Sequence, residues 1–182
     1  MKTAKQSAIL NLTISAMLLA LAMFLPFLTG QIPQFGRMLS PLHIPAMLAG
    51  FILPLPWAVS LAFIIPIVRS LIFSMPPMVP MAVTMAFELA TYALVIGLIY
   101  KRPAKSYFSI LIALIPAMVI GRIVYALVFF IVMSLTAGTF NLSVVITGLT
   151  VEGLPGVIVQ LLIVPPIVFA VEKAGLYRSN KR

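Results

Sequence analysis

Six apolar runs fill most of the chain, at residues 7–29, 38–54, 56–74, 78–100, 107–135 and 151–173. A helix crossing the hydrocarbon core of a bilayer needs about 20 predominantly apolar residues, and most of these runs approach or exceed that length. Charged residues make up 8% of the chain, against roughly 25% in soluble domains. No segment between the runs is long enough to build a core of its own. The expected fold class is an all-α integral membrane protein with six transmembrane helices, forming a single domain over residues 1–182.

The second and third runs are the ambiguous pair. Between His43 and Pro54 there are twelve residues, about 18 Å of helix against a core of about 30 Å. The Pro54-Leu55-Pro56 break would also fit a kink within one long span. Charge decides between the two. Lys2 and Lys5, then Lys101, Arg102 and Lys105, then Lys173, Arg178, Lys181 and Arg182 account for nine of the twelve basic residues. Six spans put all three clusters on the cytoplasmic side, as the positive-inside rule requires, whereas five strand at least one cluster outside. Both termini are therefore expected in the cytoplasm. The net charge of +9 reads as a topology signal, with no nucleic-acid partner. The first run follows Met1-Lys2-Thr3-Ala4-Lys5 and exceeds the roughly 7–15 residues of a signal-peptide core, so it reads as an uncleaved span.

Apart from residues at the very ends of the runs, three charged residues remain inside them: Arg69, Glu88 and Arg122. A charge at mid-bilayer costs roughly 2.5–3.5 kcal/mol on insertion scales, so it normally faces a partner or a polar cavity. Arg69, near the outer end of its run, is expected to snorkel to the headgroups. Thr84, Glu88, Thr91 and Tyr92 recur at spacings that place them on one side of a helix, flanked by Met81 and Met85. Met118, Arg122 and Tyr125 form a similar stripe on the fifth run, and Glu152 opens the sixth, with Gln160 two turns further in. Aromatic and thioether walls with a few convergent polar groups are what small-ligand pockets use. Other readings stay open: Glu88 and Arg122 as a structural ion pair, the threonines bonded back to their own helix carbonyls, and His43 as a helix cap or a water-facing group.

Catalytic signatures are missing. The sequence has no phosphate-cradling Gly-rich loop and no H-E-x-x-H. One histidine and no aspartate cannot make a Ser-His-Asp triad or a carboxylate metal cage, so neither catalytic nor metal residues are expected. Cysteine is absent, which removes thiolate chemistry. On the first run, Ala16 and Ala20 form a small-xxx-small pair of the kind that lets another helix approach closely, with Ala22 nearby.

Taken together, the chain resembles the substrate-binding S components of energy-coupling factor (ECF) vitamin transporters. The resemblance rests on length, on six spans, on the Ala16–Ala20 pair, and on three stretches. These are Gly36-Arg37-Met38-Leu39-Ser40-Pro41-Leu42-His43-Ile44-Pro45-Ala46-Met47-Leu48-Ala49-Gly50-Phe51, then Met75-Pro76-Pro77, then Ala86-Phe87-Glu88-Leu89-Ala90-Thr91-Tyr92. It implies a high-affinity vitamin-binding subunit in the plasma membrane of a bacterium, with the pocket in the outer halves of spans four to six. It also implies docking through the alanine pair onto a transmembrane coupling protein served by two cytoplasmic ATPases. The chain itself would carry no cofactor, ATP and Mg belonging to the ATPases. The implied substrate site comprises Glu88, Thr84, Thr91, Tyr92, His43, Met38, Arg122, Tyr125 and Glu152.

Affinity sets a further requirement. A ligand of about a dozen heavy atoms gains at most about 1.5 kcal/mol per atom, and nanomolar binding takes about 12 kcal/mol. Nearly every ligand atom must then be contacted, which calls for a closing outer loop, and residues 30–42 and 136–150 are the candidates. Within the first of these, Gly36 and Pro41 would act as a hinge and Met38 and Leu39 as a seal. The carboxylate-and-hydroxyl face of the fourth run suits pyridoxine or a hydroxymethylpyrimidine, with pantothenate the alternative through Arg122 or Arg37. From a different class, a stand-alone channel or a proton-coupled carrier using Glu88 is the competing function.

Overall fold

A computed structural model of the protein describes residues 4–28, 40–100, 107–136 and 153–173. These form α1 (Ala4–Leu28), α2 (His43–Ile52), α3 (Leu55–Phe73), a wide turn (Met78–Ala82) leading into α4 (Val83–Ile99), α5 (Tyr107–Thr136) and α6 (Gly153–Lys173). Five segments are long and apolar enough to cross a membrane, the turn and α4 counting as one, and α2 is a shorter apolar helix of 10 residues. The described residues are otherwise turns and short connections, with no strand among them.

The second run, expected over 38–54, contracts to α2. Pro41 disfavours helix at the residue before it, and Ser40 adopts a left-handed φ of 45°. Pro54, with ψ at 147°, ends the helix at the other side. At about 15 Å α2 is half a span, yet it is the centre of the bundle. Every residue from His43 to Phe51 is buried, which is the signature of a helix apolar on all sides. It packs against α1, α3, α4 and α6. Gly50 makes the α4 crossing possible: a Cβ there would stand 3.0 Å from the Ala93 Cα and 3.1 Å from the Ile96 Cβ.

Side-chain contacts give the direction of each helix. Arg69 Nη1 of α3 donates to the Met23 carbonyl of α1 at 2.7 Å, and Phe27 meets Phe73 edge-on at 5.2 Å. The C-terminal ends of α1 and α3 therefore lie together. The Leu53-Pro54 break reverses the chain between α2 and α3, and the Ser74–Pro77 connection reverses it again into α4, Ser74 ending α3 with φ 55°. Tyr125 of α5 reaches Met81 while Arg122 reaches Glu88, so α5 runs antiparallel to α4. Finally Tyr100, at the end of α4, donates to Glu172 Oε1 of α6 at 2.7 Å, which sets α6 parallel to α4. The six helices thus alternate in direction, and the first begins at the end of the bundle where the last finishes.

Arg69 corrects one expectation. Rather than snorkelling, it is 5% exposed, with its guanidinium over the rings of Phe73 and Phe27 at 4.9 and 5.6 Å. Its guanidinium is taken up instead by the Met23 carbonyl of α1, three residues before Pro26. The outward faces of α1 and α5 are apolar, with Phe24 and Leu135 among their most exposed residues, as suits helices solvated by lipid.

Candidate functional site

Glu88 stands near the middle of α4 and is 1% exposed. Three helices bring partners to it. From one turn further along α4, Tyr92 Oη donates to Glu88 Oε1 at 2.6 Å. From α5, Arg122 Nη1 lies 3.2 Å from the same oxygen. From the first residue of α2, His43 Nε2 approaches Oε2 to 3.3 Å, but without the alignment of a hydrogen bond. The His43 and Tyr92 rings also touch, with centroids 5.5 Å apart.

Local sequence explains each placement. Tyr92 follows Glu88 by four residues and so covers the same face. Its ring lies against α5 at Gly121, where an added Cβ would overlap Cε1 and Cδ1 of the ring. A glycine is therefore required there if Tyr92 is to reach Glu88 with Arg122 beside it. His43 reaches the cluster because α2 is short and starts deep in the bundle. At 2% exposed it does not face water, which closes one of the readings open from sequence.

Of the other expected site residues, Thr84 is fully buried but donates to its own helix at the Pro80 carbonyl, 2.7 Å away. Thr91, on the partly exposed side of α4, donates to the Phe87 carbonyl at 2.7 Å. Neither hydroxyl joins the Glu88 cluster. Tyr125 donates to Met81 Sδ at 3.7 Å and stacks on Phe129 at 5.9 Å, extending the aromatic and thioether wall away from Arg122. Met118 is buried one turn on its other side. Met38 and Glu152 lie outside the described residues, as do most of the two expected closing loops. Ala16 and Ala20 are both exposed on α1, whereas Ala22 is fully buried and belongs to the core. Sequence reasoning missed the Tyr100–Glu172 bond, since an acid beside Lys173 reads as part of a basic tail.

The electrostatics of the cluster are unusual for a purely structural pair. Burying a carboxylate and a guanidinium costs several kcal/mol each, and apolar residues in their place are often neutral or stabilising. The cluster also has unmet bonding capacity. Arg122 Nη2 and both ring nitrogens of His43 are buried without a hydrogen-bond partner among the described residues, as are, outside the cluster on α6, both amide atoms of Gln160. Buried polar atoms are normally satisfied, and these unmet atoms are of both donor and acceptor type.

Comparison with known families decides what kind of protein carries this site: the sequence model for the ECF transporter, substrate-specific component, matches residues 10–168. The chain belongs to that family. Comparisons with curated proteins and with solved structures gave no match. As an S component, the protein is a multi-pass membrane protein and the substrate-binding subunit of an ECF importer, with no catalytic role of its own. The Glu88 cluster brings one carboxylate, one guanidinium, an imidazole and a phenol together in the buried interior of this protein.

Proposed function

We propose that this S component binds a neutral, ring-bearing, water-soluble vitamin or vitamin precursor, of the pyridoxine or hydroxymethylpyrimidine type, through the Glu88 cluster. The observation that carries the reading is charge balance. Glu88 and Arg122 already cancel within 3.2 Å of each other. A carboxylate ligand such as pantothenate would have to draw Arg122 away from Glu88, or enter a buried site as an uncompensated anion, which is costly. A neutral ligand with hydroxyl and ring-nitrogen groups needs neither, and the orphan atoms of Arg122 and His43 match its donors and acceptors.

The rest of the reading follows from family membership and charge distribution. The five long helices and the short α2 form one domain in a bacterial plasma membrane, with both ends cytoplasmic and the site opening outward. Met38, Thr84, Thr91, Tyr125 and Glu152 line or close the pocket around the central four residues. The protein docks through Ala16 and Ala20 on a transmembrane coupling protein, and two cytoplasmic ATPases supply ATP and Mg chemistry.

Equilibrium binding on the purified protein tests the substrate class. Pyridoxine or 4-amino-5-hydroxymethyl-2-methylpyrimidine should bind at about nanomolar strength, roughly 12 kcal/mol, and pantothenate at least 100-fold more weakly. Tight pantothenate binding with no response to either neutral probe would overturn the assignment.

A further inference from the structure

Gln160 is the largest polar commitment in the bundle that the Glu88 cluster does not itself explain. It is 0% exposed, and neither its amide nitrogen nor its amide oxygen has a partner among the described residues. Its place on α6 is inward, on a buried stripe with Gly156, Val164 and Val168. Packing alone would favour an apolar side chain here, since an unsatisfied buried amide is destabilising.

Register puts Gln160 at the depth of Glu88. The Tyr100–Glu172 hydrogen bond pins the ends of α4 and α6 together, and both helices run into that contact from the same direction. Glu88 lies twelve residues before Tyr100, and Gln160 lies twelve residues before Glu172, so each stands about 18 Å above the pin at 1.5 Å per residue. Laterally, α6 packs against α2 and α5, the two helices that bring His43 and Arg122 to Glu88. Gln160 is thus level with the cluster, on the helix next to two of its three walls.

We propose that Gln160 is the fourth wall of the substrate site and a specificity-determining residue, its amide pairing with an adjacent donor and acceptor on the ligand. The inference rests on the reading of the Glu88 cluster as the substrate site. A primary amide offers a carbonyl acceptor and an NH2 donor side by side. Its complement is a neutral edge with the same two functions, such as an aminopyrimidine or a hydroxymethyl group beside a ring nitrogen. A carboxylate, with acceptors alone, would leave the amide oxygen unmet.

Gln160→Met keeps the volume and removes the amide. Binding of pyridoxine and of the aminopyrimidine probe should be compared in the wild-type protein, in Gln160→Met and in Glu88→Gln. The tighter-binding probe should lose about 10- to 100-fold in affinity on Gln160→Met, the scale of a hydrogen bond left unpaired. The ligand-free melting temperature of that variant should hold or rise, a signature that a structural glutamine would not give. Unchanged affinity in Gln160→Met, alongside a loss in Glu88→Gln, overturns the role of Gln160 and leaves the site. A fall in ligand-free melting temperature with unchanged affinity makes Gln160 a packing residue. Failure of the wild-type protein to bind either probe, or wild-type affinity in Glu88→Gln, overturns the parent reading and this one with it.

Discussion

Glu88→Gln should lose tight vitamin binding and also lower the melting temperature of the ligand-free protein, and adding Arg122→Met should restore the stability without restoring the binding. The reasoning is electrostatic. With Glu88 neutralised, Arg122 remains in the bundle with its main counter-charge gone, and breaking a buried pair from one side costs about 3–5 kcal/mol. Arg122 keeps 19% side-chain exposure, which places the expected loss near the lower figure, several degrees in melting temperature. Replacing the guanidinium by a thioether removes the stranded charge, and the apolar pair should be about as stable as the ionic one. Binding behaves differently, because both charged groups are needed to meet the ligand. The single and the double variant should each bind at least about 100-fold more weakly, in the range seen when one member of a desolvated charge pair is truncated. Measuring both quantities on the three proteins separates a ligand site from a structural ion pair. If the double variant bound the vitamin like the wild type, the cluster would be structural.

The second large effect lies on α1. Ala16→Leu combined with Ala20→Leu should abolish uptake by the assembled transporter, with a loss of more than about 10-fold, while leaving vitamin binding within about twofold. Both alanines are exposed, so the added side chains meet lipid in the isolated protein and leave its core untouched. A close helix crossing depends on small residues at the contact, and two leucines four residues apart would hold a partner helix away along a full turn. The wild-type protein reconstituted without partners should bind vitamin without net uptake. Normal uptake by the double leucine variant would remove the alanine pair from the docking face. Net uptake by the protein alone would instead favour a stand-alone carrier built on Glu88.

Much of this was legible in the sequence, for identifiable reasons. The apolar runs marked the helices closely because lipid-facing helices need length and apolarity more than pattern. Glu88, Tyr92 and Arg122 stood out because ionisable groups inside spans are scarce and the four-residue spacing places the tyrosine over the acid. His43 was harder: the sequence left it open as a helix cap or a water-facing group, and only a helix as short as α2 brings position 43 level with position 88. Thr84 and Thr91 had the right spacing, but in an apolar helix a threonine hydroxyl readily turns to the carbonyl one turn back, as both do here. The demand for glycine at 121 could not be read at all, since it exists only once the Tyr92 ring lies against that stretch of α5. Arg69 was read by the general habit of cations near span ends, whereas a backbone carbonyl and two aromatic rings, Phe27 of α1 and Phe73 of its own helix, hold it inside.

The central claim is that a charge-balanced buried cluster around Glu88 holds a neutral vitamin. Native mass spectrometry of the protein purified from cells grown with vitamins tests it most directly. The prediction is a single adduct per chain with the mass of pyridoxine or a hydroxymethylpyrimidine, lost in Glu88→Gln. A carboxylate vitamin such as pantothenate travelling with the wild-type protein, or an adduct retained undiminished by Glu88→Gln, would contradict it.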